Sequence, residues 1–475
     1  MNNKHSFIAL AILCLISIIN PLNAQKPTDE VDQYLQQVIK ENNVPGLAVA
    51  VLDQDEVIYE GYFGLASLEY QVPVNESTLF RLYSSTKMII NTAVFKLVDE
   101  NRLDISQPIS QYLDELPRQW QPVKVIDLLA HASGIPNFIS LPAEWSDQQV
   151  LDSLSQMPMV FPTGHYHDYN QTNYWLLAQI IEKISGEELG DYITNQLFDG
   201  NPRGIAFSSG SADVIANRSS KYTYDHQAGG YLKLTDLHVS RGLAGNGINI
   251  NMPKLIEWAK KLSVDIYFSE STKALMWKPY HFEEMPDYRF AAGWNIYTSG
   301  KGASIGFTGG GVSAIRVFPN QNLTVLVMSN GFQYNSVHND IVTRVAGFFN
   351  EELKNEEQIL MDETVSELIQ EKPIAMDKLY ESISQKLSND RKEGFFNSLG
   401  YVLIGYRKYH LANSVLKLNA EKYSKSANTY DSLGESFIYL DDLQSALKNY
   451  RKVLELDPDN RNARQMISKI QDRMG

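Results

Sequence analysis

The chain has 475 residues, more than one ordinary core accommodates, so two or more domains are expected. Hydrophobic residues make up 43% and charged residues 21%; with 29 Gly and 18 Pro, this is a globular composition that excludes collagen-like and low-complexity chains. The formal charge of −14 argues against a general nucleic-acid binder, which needs basic surface to displace counterions.

The first pattern from the N-terminus is a targeting one. Lys4 precedes an apolar run from Phe7 to Ile19, and Pro21-Leu22-Asn23-Ala24 follows. Basic, apolar and small-residue regions in that order predict a secretory signal over residues 1–24, cleaved after Ala24. The run is too short to cross a bilayer, with an uncleaved anchor as the alternative. Cys14, the single cysteine, falls inside it, and the bulky Leu13 before it is unlike a lipoprotein box. The mature chain is therefore expected to be periplasmic or secreted, without disulfide or thiol nucleophile. No later segment has 18 consecutive apolar residues, so no membrane-spanning helix is expected.

Gly46 to Leu52 is a continuous apolar run, the pattern of a buried strand. Glu56 to Gly64 reads as a second strand, and Asp53 with Asp55 marks a hairpin between them. Helical patterns follow, at Tyr174 to Ile184 and Met252 to Leu262 among others. Ala314 to Pro319 and Leu323 to Met328 form a further strand pair around Asn320-Gln321-Asn322. Strands at both ends with helices between them predict an α/β (α+β) domain over 25–350. Its antiparallel sheet would be closed by distant segments, flanked by helices and interrupted by an all-helical insertion.

Between Glu351 and Lys372 there are eight acidic and two basic residues, which predicts a solvated helical connector over 351–384. Residues 385–475 read as all-helical. Ser398-Leu399-Gly400 recurs as Ser432-Leu433-Gly434, 34 residues on, and Ala412 recurs as Ala446. A 34-residue period with small residues at helix crossings resembles tetratricopeptide repeats, with an unrelated helical bundle as the alternative. Only two repeats are clear, so support from a third helix pair or from the first domain is expected.

Three segments carry candidate chemistry. In Ser84-Ser85-Thr86-Lys87, a helix starting near Ser84 would set Ser84 and Lys87 one turn apart on one face. A lysine amine there can take the serine proton when burial lowers its pKa, and the helix start supplies a free N–H for an oxyanion. The spacing also occurs at Ser414 and Ser445 in the helical region; Ser84 differs by its aromatic and apolar flanks. The second segment runs from Phe161 to Tyr174. His165-x-His167-Asp168 hints at a metal site, but the two positions after Asp168, which a zinc hydrolase would fill with ligands, are Tyr169 and Asn170. Tyr169 is either a phenol shuttling a proton beside an ammonium or a ring packed at a loop base. The third, Ser304 to Gly311, is either a turn between strands or a Gly-lined strand edge with Gly310 N–H as a second oxyanion donor. No Gly-Lys-Ser/Thr follows it, so it is not a phosphate loop.

In order and separation the three segments resemble the serine β-lactamase and penicillin-binding protein superfamily, in its class C β-lactamase-like branch, over roughly residues 30–345. Leu128-Leu129-Ala130-His131-Ala132-Ser133-Gly134 is a frequent hallmark of that branch, with His131 read as structural. The resemblance implies a β-lactamase-like fold, Ser84 as acylated nucleophile, Lys87 as general base, Tyr169 assisting proton transfer, and an oxyanion hole from the N–H groups of Ser84 and Gly310. It implies substrate contacts at Gln171, Phe307, Thr308, Gly309 and Gly310, a small-molecule or peptide substrate, and no metal or organic cofactor. Two positions depart from the pattern. Gln171 stands where the family has Asn, and Phe307 where it has Lys or His, so the cation that holds a substrate carboxylate is missing. An extracytoplasmic serine hydrolase of neutral esters, amides or β-lactam-like compounds is therefore expected. The alternative is a catalytically degenerate binding protein whose repeats, residues 385–475, recruit a protein partner; a peptidoglycan carboxypeptidase is a third reading.

Overall fold

The computed structural model describes residues 27–225, 228–237, 239–298, 302–332, 337–370 and 375–474; the expected signal segment lies outside them. Seven antiparallel strands form the central sheet. Three come early, β1 (Gly46–Asp53), β2 (Glu56–Ser67) and β3 (Val72–Pro73). Four come late, β4 (Asn295–Tyr297), β5 (Ser304–Gly309), β6 (Ser313–Phe318) and β7 (Leu323–Ser329). Their order across the sheet is β3-β2-β1-β7-β6-β5-β4. The early and late groups meet where β1 pairs with β7, from Leu47 opposite Ser329 to Asp53 opposite Leu323. Both expected hairpins form. Gln54 at the first and Asn322 at the second take φ of 52°, the left-handed conformation that such tight reversals call for.

The apolar run of β1 has a simple cause: both faces of the sheet are covered. On the outer face, Leu47, Val49 and Val51 pack under helix α1 (Pro27–Glu41) and a late helix, His338–Phe349. On the inner face, Ala48, Ala50 and Leu52 join the larger core with α2 (Thr86–Asp99), α3 (Gln171–Ser185) and α4 (Met252–Ser263). Helix α2 is buried nearly all round, through Met88, Ile89, Ile90, Ala93, Val94, Phe95 and Leu97. A helix enclosed on every side cannot slide, so it fixes whatever its N-terminus carries.

Beyond α5 (His338–Phe349) the chain is helical: α6 (Glu356–Ile369), α7 (Met376–Ser384), α8 (Asn389–Gly405), α9 (Tyr409–Lys422), α10 (Ala427–Tyr439), α11 (Leu443–Leu456) and α12 (Arg461–Met474). The small residues spaced 34 apart sit at helix contacts. A Cβ at Gly400 would lie 2.4 Å from Leu416, and one at Gly434 would lie 3.1 Å from Tyr450. The acidic segment is more than a solvated strut, because α6 sends Leu360, Val365 and Leu368 into one core with Leu399 and Leu416. Ser366 on α6 donates to Glu41 at 2.8 Å, and Tyr406 donates to Asn42 at 2.7 Å, so the helical array rests on the end of α1. Among the described residues no helix is long and apolar enough to cross a membrane.

Candidate active site

Ser84 lies on a single 3-10 turn, Tyr83–Ser85, and α2 begins at Thr86, slightly later than the sequence spacing suggested. Tyr83 has φ of 49°, a strained conformation for a bulky residue that persists only when neighbours hold it. Tyr83 Oη donates to Asp236 Oδ2 at 2.5 Å, and Arg81 pairs with the same carboxylate at 3.0 Å. Behind the turn, Ser313 Oγ stands 2.7 Å from the Leu82 carbonyl oxygen and 2.9 Å from Ser85 Oγ. Strand β5 also presses close. A Cβ at Gly309 would lie 2.1 Å from the Leu82 oxygen and 2.6 Å from Ser85 N, so only glycine fits.

Lys87 is fully buried. Its Nζ donates to the Gly245 carbonyl at 2.7 Å and to Gln171 Oε1 at 3.1 Å. Burial holds its pKa well below that of an ordinary lysine. The two acceptors use both hydrogens of a neutral amine and leave its lone pair available. No hydrogen bond joins Lys87 to Ser84; instead the amine sits 4.7 Å from the centre of the Tyr169 ring and 4.9 Å from that of Tyr174.

Tyr169 supplies the direct contact to Ser84, its Oη donating to Ser84 Oγ at 2.8 Å. Burial pushes the phenol up to about 12, against the opposing effect of that hydrogen bond, so it is a neutral donor at pH 7. With the phenol donating, the hydroxyl hydrogen of Ser84 is directed elsewhere. The Tyr169 ring is walled by His131, centroid to centroid 4.6 Å, and by Phe307, stacked at 6.1 Å and 29°. His131 is buried, and desolvation first, then Lys87 and His167, hold its pKa well below the usual histidine value. It is neutral and accepts at Nδ1 from Asn170 N at 3.1 Å. Asn170 Oδ1 in turn accepts from Thr172 N at 2.8 Å, capping α3 and setting Gln171 against Lys87.

Because Phe307 faces Tyr169, strand alternation puts Thr308 on the opposite face, where its hydroxyl donates to Asn339 at 2.7 Å. Gly310 has φ of 54° and lies against Tyr83, where a Cβ would come within 2.6 Å of the ring. Among the described residues no acceptor is placed on the Gly310 N–H. Ser84, Lys87, Tyr169, Gln171, Phe307, Gly309 and Gly310 thus surround one turn, while the Thr308 hydroxyl turns away. His165 pairs with Glu283 at 2.9 Å, and His167 packs against Tyr288 and Phe290 with its pKa lowered to about 4 by burial. Among the described residues no cluster of three or more candidate metal ligands forms.

Sequence reasoning missed Gly245, Ser313 and Asp236. A Cβ at Gly245 would lie 2.1 Å from Gln171 Oε1 and 3.3 Å from Lys87 Nζ, so any larger residue there would displace the Gln171 amide from Lys87. The string Gly242-Leu243-Ala244-Gly245-Asn246-Gly247 signals a close approach, although nothing in it names Lys87 as the partner. Ser313 was legible only as a polar residue in an apolar strand.

A buried amine, a phenol and a half-exposed serine converge at a helix start, beside a glycine-lined strand edge, an arrangement whose groups could carry acyl transfer. Residues 31–347 match the Beta-lactamase family model, and the chain belongs to that family. It is 28% identical over 207 residues to an N-acetylmuramyl-L-alanine amidase of Bacillus subtilis, covering 38% of this chain and 47% of that protein. It is 29% identical over 156 residues to a beta-lactamase of Providencia stuartii, covering 32% and 40%. The chain spans less than half the length of these curated relatives. Among solved structures, an octameric penicillin-binding protein homologue from Pyrococcus abyssi superposes with a TM-score of 0.60 at 21% identity, covering 71% of this chain and 81% of that one, a likeness of fold.

Proposed function

We propose that the protein is an extracytoplasmic serine hydrolase that forms an acyl-enzyme at Ser84. The observation that carries the reading is the 2.8 Å bond from Tyr169 Oη to Ser84 Oγ beside a buried Lys87 of lowered pKa. In this reading Ser84 Oγ attacks the substrate carbonyl and its proton passes to the Lys87 lone pair, the contact tightening once substrate excludes water. The negative oxygen faces the N–H groups of Ser84 and Gly310. Lys87 returns the proton, by way of the Tyr169 hydroxyl, to the leaving oxygen or nitrogen as that bond breaks. A water then attacks the acyl carbon, its proton following the same route, and Ser84 is released.

Phe307 decides the substrate class. The ring stacked on Tyr169 occupies the place of a carboxylate-binding cation, which favours neutral esters and amides over β-lactams and free peptide carboxylates. The test is turnover of nitrophenyl esters, amino-acid nitroanilides and a chromogenic cephalosporin by the purified chain and by Ser84→Ala. Hydrolysis of an ester or anilide, lost in Ser84→Ala, with slower cephalosporin turnover, is the expected result. Equal activity in both proteins would overturn the assignment. The proposal extends to residues 1–24 as a signal removed on export, 25–350 as the hydrolase, 351–384 as a connector and 385–475 as the repeat region that takes a protein partner. The mature N-terminus is then Gln25, which N-terminal sequencing of the exported protein checks.

A further inference from the structure

Once Lys87 takes a proton it is an ammonium enclosed by protein. Its hydrogen bonds go to the Gly245 carbonyl and to Gln171 Oε1, both neutral acceptors. Among the described residues, the titratable groups that face it are Tyr169 in the loop before α3, Tyr174 on α3, and His131; none is a carboxylate. A buried ammonium without a counterion is costly, so whatever else touches the amine decides how readily it accepts a proton.

What else touches it is aromatic. The amine lies 4.9 Å from the centre of the Tyr174 ring, within the range over which a ring face attracts a cation. Two helices set this contact. On α2, Lys87 and Asn91 are four residues apart and share a face; on α3, Gln171 and Tyr174 are three apart and share another. The two faces meet: Gln171 accepts from the amine, and Tyr174 Oη donates to Asn91 Oδ1 at 2.8 Å. Tyr174 and Asn91 are both fully buried. Gly293, with φ of 77°, lies against that bond, where a Cβ would come within 2.1 Å of Asn91 Nδ2 and 2.2 Å of Tyr174 Oη. The His131 ring stands 5.4 Å from that of Tyr174, centre to centre. With its hydroxyl committed to Asn91, Tyr174 meets Lys87 through the ring alone.

We propose that Tyr174 is a positioning residue for Lys87: its ring face stabilises the ammonium form and so sets the pH at which the amine is free to take the Ser84 proton. Burial and the ring act in opposite senses. Burial drives the amine to its neutral form, which makes it a base, and the ring face offsets part of the cost of charging it when the proton arrives. Without the ring, Lys87 would lose its proton at lower pH and hold it less well during the reaction. The bearing on catalysis rests on Lys87 serving as base for Ser84; the contact itself does not.

The test keeps the shape of the ring and changes its charge distribution. In the full chain, position 174 carries phenylalanine (Tyr174→Phe), then phenylalanine with one, two and three ring fluorines, each of which weakens the negative face. Lys87 is followed by NMR of carbon-labelled lysine, its signal assigned by its loss in Lys87→Met. The titration midpoint is expected to fall stepwise with fluorination, by about one pH unit across the series, and the inflection of acylation by an activated ester to move with it. Tyr174→Phe, which keeps the ring face, is expected to stay close to the unsubstituted chain. A role confined to the hydroxyl and its Asn91 bond would instead move Tyr174→Phe and leave the fluorines without effect; that result, or one midpoint throughout the series, overturns the proposal. A midpoint that follows the fluorines in a chain whose Ser84 takes no acyl group would support the ring contact and overturn the reading of Ser84, so the two fail separately.

Discussion

Lys87 is the residue on which the proposed chemistry turns. Burial favours its neutral form, and its two hydrogens are taken by Gly245 and Gln171. The acylation rate should therefore rise with pH as the amine loses its proton, with an inflection well below the ordinary lysine value. A pH profile of reaction with an activated ester checks this, and a rate still climbing unchanged through pH 10 speaks against it. Tyr169→Phe removes the donor to Ser84 Oγ while keeping the ring between His131 and Phe307. Acylation should slow by roughly 10²–10⁴-fold with little change in thermal stability; a near-normal rate would leave the phenol a packing residue. Ser84, Lys87 and Tyr169 were legible in the sequence because their chemistry depends on residue type at short local spacing. Gly245 and Ser313 were not, because a carbonyl acceptor and a buried tether have no signature until the chain folds back.

The elements explain why the site is rigid. The turn bearing Ser84 is clamped between α2, enclosed by the core, and the backbone of β5 at Gly309. Gly309→Ala forces a methyl into the Leu82 carbonyl and Ser85 N, neither of which can yield cheaply. If Ser84 is the proposed nucleophile, displacing it by about 1 Å should cost 10²-fold or more in acylation, measured against an unchanged circular dichroism spectrum. A fully active Gly309→Ala protein would mean that the turn tolerates movement. Strands β1, β2, β6 and β7 were readable from their apolar runs and turn residues, whereas β3 and β4, of two and three residues, carry too little pattern to be seen. The later start of α2 could not be read locally: it follows a 3-10 turn in which Tyr83, at positive φ, is held by Asp236, far away in sequence.

At the scale of the whole molecule, the helical array and the sheet domain meet around a cavity of about 130 Å³ lined by Tyr34, Asp340, Arg344 and Asp362 among others. Desolvation, reinforced by Asp362, raises Asp340 to about 7, and desolvation raises Asp362 to about 6. A carboxyl whose folded pKa exceeds its unfolded value of about 3.9 binds its proton more tightly in the fold. Its contribution is complete below that unfolded value and is lost as pH rises to about 7. Thermal unfolding should therefore move to lower temperature between pH 5 and pH 8, and Asp340→Asn should flatten the dependence; an equal drop in the variant would place its origin elsewhere. That the repeats need support from the first domain or a third helix pair was legible in their small number, but the residues that make the junction were not, because Glu351 to Lys372 reads as a solvated acidic run and the burial of Leu360, Val365 and Leu368 depends on helices that follow much later. The central claim is chemical, and intact-mass analysis after treatment with a fluorophosphonate tests it most directly. One adduct per chain, mapped to the peptide containing Ser84 and absent from Ser84→Ala, is the expected result; no adduct, or one that persists in Ser84→Ala, would contradict the account.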